Sequence, residues 1–422
     1  MPEYDEVGDS RFRSQFELIR DAFRNRDPSV EIAAATYARR DIEYLYAMNR
    51  LLVRTPDVER VLATEAVRGL QPLESEGDTG LTVLSTAEVP VPEAVARLDA
   101  ALGERGVVTP DHVVYACPVQ CCPAVEPDRP DPCCDDVHPC PPQRDGNAGS
   151  GIMIGVSDTG LLPGADQQFP WLAGVTGEPD TLPPAQNGVQ PIPPYAGHGT
   201  FIAGVARCIA PAAGITVVDH FPTAGAAALL ESEIVGKLIA LLALNPRIIS
   251  LSAGTTTRAD LPALSFDVFW SEHLIHHPEV LLVAAAGNDS TDRRFWPAAF
   301  DWSLSVGALA ADQHHRAWFS NFDHPWDPWV DVFAPGEGLV NAYATGEYTY
   351  SEEPRKGVRQ EFAGMARWSG TSFATPLVAA LVATWMSGKD PQTPAAEAKD
   401  ALIAAAAVLP DVGKAVSLDF TI

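Results

Sequence analysis

The chain has 422 residues, more than one ordinary hydrophobic core serves, so at least two domains are expected. Its net charge is −26, from 29 basic and 55 acidic residues, which excludes nucleic acid and anionic membrane surfaces as expected partners, since both need clustered Lys and Arg. No apolar run reaches the roughly 18 residues of a membrane-spanning helix. The start, MPEYDEVGDSRFRSQ, is charged throughout and shows no apolar h-region, so the expected location is the cytoplasm, with export by another route left open.

Residues 1–45 read as a polar, helix-prone segment. From Leu51 the texture changes. LLVRT reads as a strand and DVERVLATE as a short helix. GLQPLE and LTVLSTA read as strands. PEAVARLDAALGE reads as a helix with Val95, Leu98 and Leu102 on its apolar face, and HVVYA closes the series as a strand. Strand, helix, strand, strand, helix, strand is the split βαβ order, so residues 46–116 are expected to form a small α+β, ferredoxin-like domain.

Residues 117–150 form a Cys/Pro-rich linker, with six of the seven cysteines inside CPVQCCPAVEPDRPDPCCDDVHPC. Three readings stand open for Cys117, Cys121, Cys122, Cys133, Cys134 and Cys140: disulfides, a zinc site using thiolates with or without His138, or reduced thiols. Cys208 lies alone in a helical run and reads as a small core residue.

From Gly151 to the end, apolar strands (IMIGVSD, ITVVDHF, IISLSAG, VLLVAAAGN, SLSVGAL) alternate with helical runs. Such strands belong to a parallel sheet covered on both faces, and ligand sites in these sheets lie beyond the carboxyl ends of the strands. Four residues stand out there. Asp158 ends the first strand. His198 sits between glycines at a helix start. Asn288 ends VLLVAAAGN. Ser372 opens a helix after Gly370-Thr371, where it reads both as a cap and as a nucleophile. A serine hydroxyl becomes nucleophilic when an imidazole removes its proton, and a buried carboxylate fixes that imidazole. The oxyanion that forms needs a side-chain amide and a backbone N–H at a helix N-terminus.

GVSDTG, GHGTFIAGV, AAAGND and SGTSFATP, in that order, resemble the four signature blocks of the subtilisin-like serine proteases, peptidase family S8. The resemblance runs from about Gly151 to Ser387. It implies a doubly wound, mostly parallel α/β sheet with helices on both faces, and a serine endopeptidase. It assigns Asp158 the orienting role, His198 general acid–base catalysis, Ser372 the attack and Asn288 the oxyanion hole. It places substrate as an added strand along Ser252, Ala253 and Gly254, with Ala285, Ala286 and Gly287 walling the primary pocket. Phe295 and Trp296 are candidates to narrow that pocket, and Arg293 or Arg294 to favour acidic groups. Pro376 is placed in the first turn of the nucleophile's helix. YTYSEEPRKGVRQEFAGMARW reads as a hairpin insertion. The same resemblance makes residues 46–116 a propeptide that chaperones and inhibits the enzyme and ends in DHVVYA. The rival is a permanent partner-binding domain. Polypeptide substrates, a monomer and no required cofactor are expected. Structural calcium is common in the family, but no ligands are assignable here. A non-catalytic binding protein and a serine esterase or acyl transferase remain the competing classes.

Overall fold

The computed structural model describes residues 10–36, 42–73, 79–86, 89–116, 126–130, 138–144, 146–221 and 227–421. The N-terminal part opens with helix α1 (Ser10–Arg26) and strands β1 (Ile32–Thr36) and β2 (Ile42–Arg54). Helix α2 (Val58–Leu62), strands β3 (Gln71–Pro72) and β4 (Leu81–Ser85), helix α3 (Val91–Leu102) and strand β5 (Val108–Tyr115) follow. The sheet order β5-β2-β4-β3, antiparallel throughout, is that of a split βαβ unit, with β1 added along the first half of β2. The strand read as LLVRT is thus only the end of a thirteen-residue strand, and strand structure begins within the segment read as helix-prone. Tyr, Glu, Asn and Arg make IEYLYAMNR look polar. Yet Tyr44 and Leu45 are both buried, in different cores on the two faces of the sheet.

The second part supplies β6 (Met153–Asp158), α4 (Ala165–Gln168), β7 (Thr176–Gly177), β8 (Pro191–Ile192), α5 (His198–Ile209), β9 (Gly214–Asp219), β10 (Ala228–Leu230), α6 (Glu231–Leu242) and β11 (Ile248–Leu251). Then come α7 (Leu264–Glu272), β12 (Leu281–Ala285), β13 (Leu304–Leu309), β14 (Val332–Pro335), β15 (Leu339–Thr349), β16 (Arg359–Trp368), α8 (Thr371–Met386), α9 (Ala395–Ala405), β17 (Ala407–Leu409) and β18 (Gly413–Ala415). Nine strands run in the order β17-β18-β14-β13-β12-β11-β6-β9-β7, parallel except at β17. The five apolar runs picked from the sequence are β6, β9, β11, β12 and β13. Helices cover both faces, and α8 lies against five of the central strands with nearly every residue buried. This is a doubly wound α/β sheet.

β15 and β16 form the inserted hairpin, joined by β8 into a separate three-stranded sheet. The two parts are not separate at the sheet level: β10 pairs antiparallel with β5, so the second part contributes an edge strand to the first. Buried polar groups fasten that seam. Asp111 accepts from the backbone and hydroxyl of Ser232 at 2.9 and 2.8 Å, capping the start of α6, and His112 Nδ1 lies 2.5 Å from Glu231.

Candidate active site

Asp158 is the last residue of β6 and fully buried. Its Oδ1 accepts from His198 Nδ1 at 2.7 Å and from the Thr159 amide at 2.9 Å. His198 is the first residue of α5, and Gly197 before it holds φ +82°, a left-handed conformation that glycine adopts without strain. The Gly197 amide donates to Asp180 Oδ2 at 2.6 Å, and Thr159 Oγ1 accepts from Gly199 at 3.2 Å. The turn that presents the imidazole is therefore tied to the strand that carries the carboxylate. Burial pushes the Asp180 carboxyl up to about 6, with Asp158 adding to the rise and the Gly197 hydrogen bond opposing it. The imidazole packs against Trp368 and Phe373, with ring centroids 5.3 and 5.2 Å away.

Ser372 is the second residue of α8; Gly370 holds the cap position and the serine side chain makes no cap bond. The reading of Ser372 as a helix cap is thereby corrected. Capping comes instead from across the cleft: Asn288 Oδ1 accepts from the Thr371 amide at 2.7 Å and from its hydroxyl at 2.8 Å. With that oxygen engaged, the Asn288 amide group is oriented beside the helix start. The Ser372 amide is one of the first N–H groups of the helix, which have no intrahelical acceptor.

Pro376 is the sixth residue of α8 and not in its first turn, a second correction. A proline there removes the donor to the carbonyl four residues earlier, that of Ser372. Ser252 Oγ takes its place at 2.8 Å. The edge segment and the serine helix are thus joined at the serine's own carbonyl.

A polypeptide strand already lies in the cleft. Tyr115, at the end of β5, exchanges two backbone hydrogen bonds with Gly254, at 2.9 and 3.1 Å, and the Ala116 amide donates to the Ala227 carbonyl at 2.9 Å. The Ser372 hydroxyl donates to the Ala116 carbonyl at 3.3 Å. A small pocket at this point is lined by Ala116, Ala285, Gly287, Asn288, Phe295 and Ser372. Gly254 has to be glycine, because a Cβ there overlaps the Phe295 ring and the Trp296 carbonyl.

The subtilase family profile matches residues 149–419. The chain belongs to the subtilase family. Over 197 residues it is 30% identical to the thermophilic serine proteinase of Bacillus sp. strain AK1, covering 44% of this chain and 41% of that protein. Over 250 residues it is 28% identical to an intracellular serine protease of Paenibacillus polymyxa, covering 56% of this chain and 66% of that one. The chain thus spans less than two thirds of either relative. Fervidolysin from Fervidobacterium pennivorans, described as a keratinolytic enzyme related to subtilisin, superposes with a TM-score of 0.57 over 89% of this chain and 60% of its own. At 18% identity that likeness is one of fold.

In this subtilase the four residues picked from the sequence converge as two linked pairs, Asp158 with His198 and Asn288 with the start of the Ser372 helix. Ser252 and Gly254 meet the serine helix and the added strand. Ala253 is buried beside them, and Ala286 is buried and does not line the pocket, its carbonyl accepting from the Asn321 side-chain amide at 2.9 Å. Phe295 lines the pocket, whereas Trp296 packs at a tilt against Phe300 in the core, ring centroids 4.4 Å apart. The arginines proposed for the pocket are engaged elsewhere. Arg293 bridges Asp260, the Thr257 carbonyl and the Glu43 carbonyl of β2, and Arg294 pairs with Asp327 at 2.5 Å. Cys208 is a core residue, as its sequence context suggests, and burial pushes its thiol up to about 12. Cys140 is half-buried and its backbone pairs with Val340. Cys117, Cys121, Cys122, Cys133 and Cys134 lie outside the described residues. Asp180 and Thr159 escaped sequence reading: Asp180 is eighteen positions from the histidine it supports, in a loop without a motif. Among the described residues no helix is long and apolar enough to cross a membrane.

Proposed function

We propose that this subtilase is a serine endopeptidase made with its own inhibitor. His198, its Nδ1 engaged by Asp158, takes the Ser372 proton at Nε2 as Oγ bonds to the scissile carbonyl carbon. The carbonyl oxygen gains the charge and is held by the Asn288 amide and the Ser372 N–H. His198 returns the proton to the departing amine, and water hydrolyses the ester by the same route. None of these steps calls on a cofactor. Substrate lies as an extended strand between Gly254 and the segment that ends in β10, so main-chain hydrogen bonds supply affinity and the Ala285–Gly287 wall supplies preference.

The observation that carries this reading is β5 itself. A peptide strand from the same chain fills that groove and brings the Ala116 carbonyl to 3.3 Å from Ser372 Oγ. Residues 46–116 act as a propeptide, and the chain is cut between Ala116 and Glu126. The test is intact mass of wild type against Ser372→Ala after expression, with and without a serine-reactive fluorophosphonate. Wild type should be trimmed between these residues and take one adduct; Ser372→Ala should stay whole and take none. Adduct formation on an uncut wild type would replace the propeptide by a permanent accessory domain. Absence of any adduct, even after residues 1–116 are removed from the folded protein, would sink the catalytic reading.

A further inference from the structure

The inserted hairpin holds three residues of this chain with an unusual number of polar contacts. Glu126 is 8% exposed, and its carboxylate accepts four hydrogen bonds. Tyr348 OH and Ser351 Oγ donate at 3.0 Å and the Ser351 amide at 2.6 Å, all to Oε1, and the Glu352 amide reaches Oε2 at 3.3 Å. The next carbonyl, that of Pro127, accepts from Tyr350 OH at 3.1 Å. Asp128 pairs through its backbone with Arg367, at 2.8 and 2.7 Å. Its carboxylate lies 3.2 Å from Arg355 and 3.6 Å from Arg367. The Arg355 guanidinium is itself steadied over the Tyr350 ring, 3.9 Å from the centroid. Two acidic side chains two residues apart thus each meet a matching set of donors on β15, β16 and the turn between them.

The position of this receptor gives it meaning. Arg367 is five residues before Ser372 on the strand that leads into the serine helix. Asp128 pairs antiparallel with Arg367, so from Asp128 back toward Glu126 that register runs in the direction of the serine helix. In sequence, β5 lies amino-terminal to the proposed cut, and residues 126–128, held on the strand that leads into the serine helix, lie carboxyl-terminal to it. We infer that the β15–β16 hairpin is a receptor for an acidic Glu-x-Asp segment on the carboxyl-terminal side of the scissile bond, with residues 126–128 its resident occupant. This rests on the endopeptidase reading for the words scissile bond. In substrates, the same receptor selects polypeptides with acidic residues downstream of the cut. A carboxylate that accepts from backbone N–H groups and hydroxyls and a second one between two guanidiniums form charge-assisted bonds that glutamine and asparagine do not replace in kind.

Two arms test it. The first uses uncut Ser372→Ala protein and so needs no catalysis. Hydrogen exchange at the Asp128, Ser351 and Glu352 amides should quicken about tenfold with Glu126→Gln and Asp128→Asn together, the scale of losing one net bond to a charged group. The Tyr115 and Gly254 amides should not change. Unaltered exchange at all of these amides would overturn the receptor. The second arm uses processed enzyme carrying the same two substitutions, so that its own occupant competes weakly. Two quenched peptides copy residues 113–130 with serine for cysteine, one with Glu-Pro-Asp and one with Gln-Pro-Asn. The acidic peptide should show a KM about tenfold lower at equal kcat. Equal KM values would remove the substrate preference. Failure to cut either peptide, with no fluorophosphonate adduct, would instead count against the endopeptidase reading, and the exchange arm would still judge the receptor.

Discussion

Ser252→Ala isolates the hydrogen bond beneath the serine's backbone. It is best made in a Ser372→Ala chain, which keeps the same backbone carbonyl and cannot digest itself. Ser252 is 1% exposed and donates to that carbonyl at 2.8 Å, while Pro376 has no N–H to offer it. Removing the hydroxyl leaves a buried acceptor unsatisfied, which costs about 1–3 kcal/mol. Urea unfolding followed by tryptophan fluorescence should register that loss as a lower midpoint at unchanged slope. Pro376→Ala returns an N–H to the position four residues on. In that background the cost of Ser252→Ala should shrink to under about 0.5 kcal/mol, within the error of additivity. The proline's separate effect on the unfolded chain appears in both arms of the cycle and cancels. Equal costs in the two backgrounds would refute the reasoning, because the serine would then be doing something other than replacing the missing helix donor.

Two further outcomes follow from the site. Asn288→Ala should lower kcat by about 10²–10³, the figure known for the oxyanion asparagine of subtilisin, with little change in KM; an effect confined to KM would leave Asn288 as a cap for Thr371 alone. His220 lies buried with Nδ1 2.7 Å from Ser157 Oγ, and burial, helped by Lys237, pulls it down to about 3. A depressed histidine contributes stability that is present above its ordinary 6.5 and is lost as pH falls from there toward 3. His220→Asn should therefore flatten the acid limb of the urea midpoint in that window. The difference between the two curves is the quantity to read, because Asp180, pushed up to about 6, acts in the opposite sense.

The parallel sheet was legible because its strands are continuous apolar runs, and the four site residues because each sits in a long block. The roles of Ser252 and Pro376 became readable only together. In sequence they are 124 positions apart, and nothing in either stretch says that one carbonyl needs the other's hydroxyl. Pro376 was placed one turn early because a proline after Gly-Thr-Ser reads as a helix opening. Arg293 and Arg294 looked like pocket residues by proximity to the glycine wall. Their partners, Asp260 and Asp327, come from other loops, and one-dimensional spacing carries no trace of that. The Glu126 receptor was hidden for the same reason. Its donors are two backbone amides and two hydroxyls on a hairpin more than 220 positions away, and backbone donors have no sequence signature.

A cut between Ala116 and Glu126 has unequal consequences on its two sides. Upstream, β5 sits between β10 and Gly254, and it is covalently continuous with the second part only through the residues of the proposed cut. Before the cut its local concentration is set by that tether, in the millimolar range for a short linker; afterwards it is an independent ligand that dilution and proteolysis can remove. Downstream, residues 126–128 remain part of the catalytic chain, so their grip on the hairpin stays intramolecular. On the proposed reading, scission frees the β5 half of the groove first and leaves the acidic half occupied by its own segment. A substrate with neutral residues beyond its scissile bond has to displace that segment without replacing its charge-assisted bonds. One with a matching acidic pair exchanges like for like.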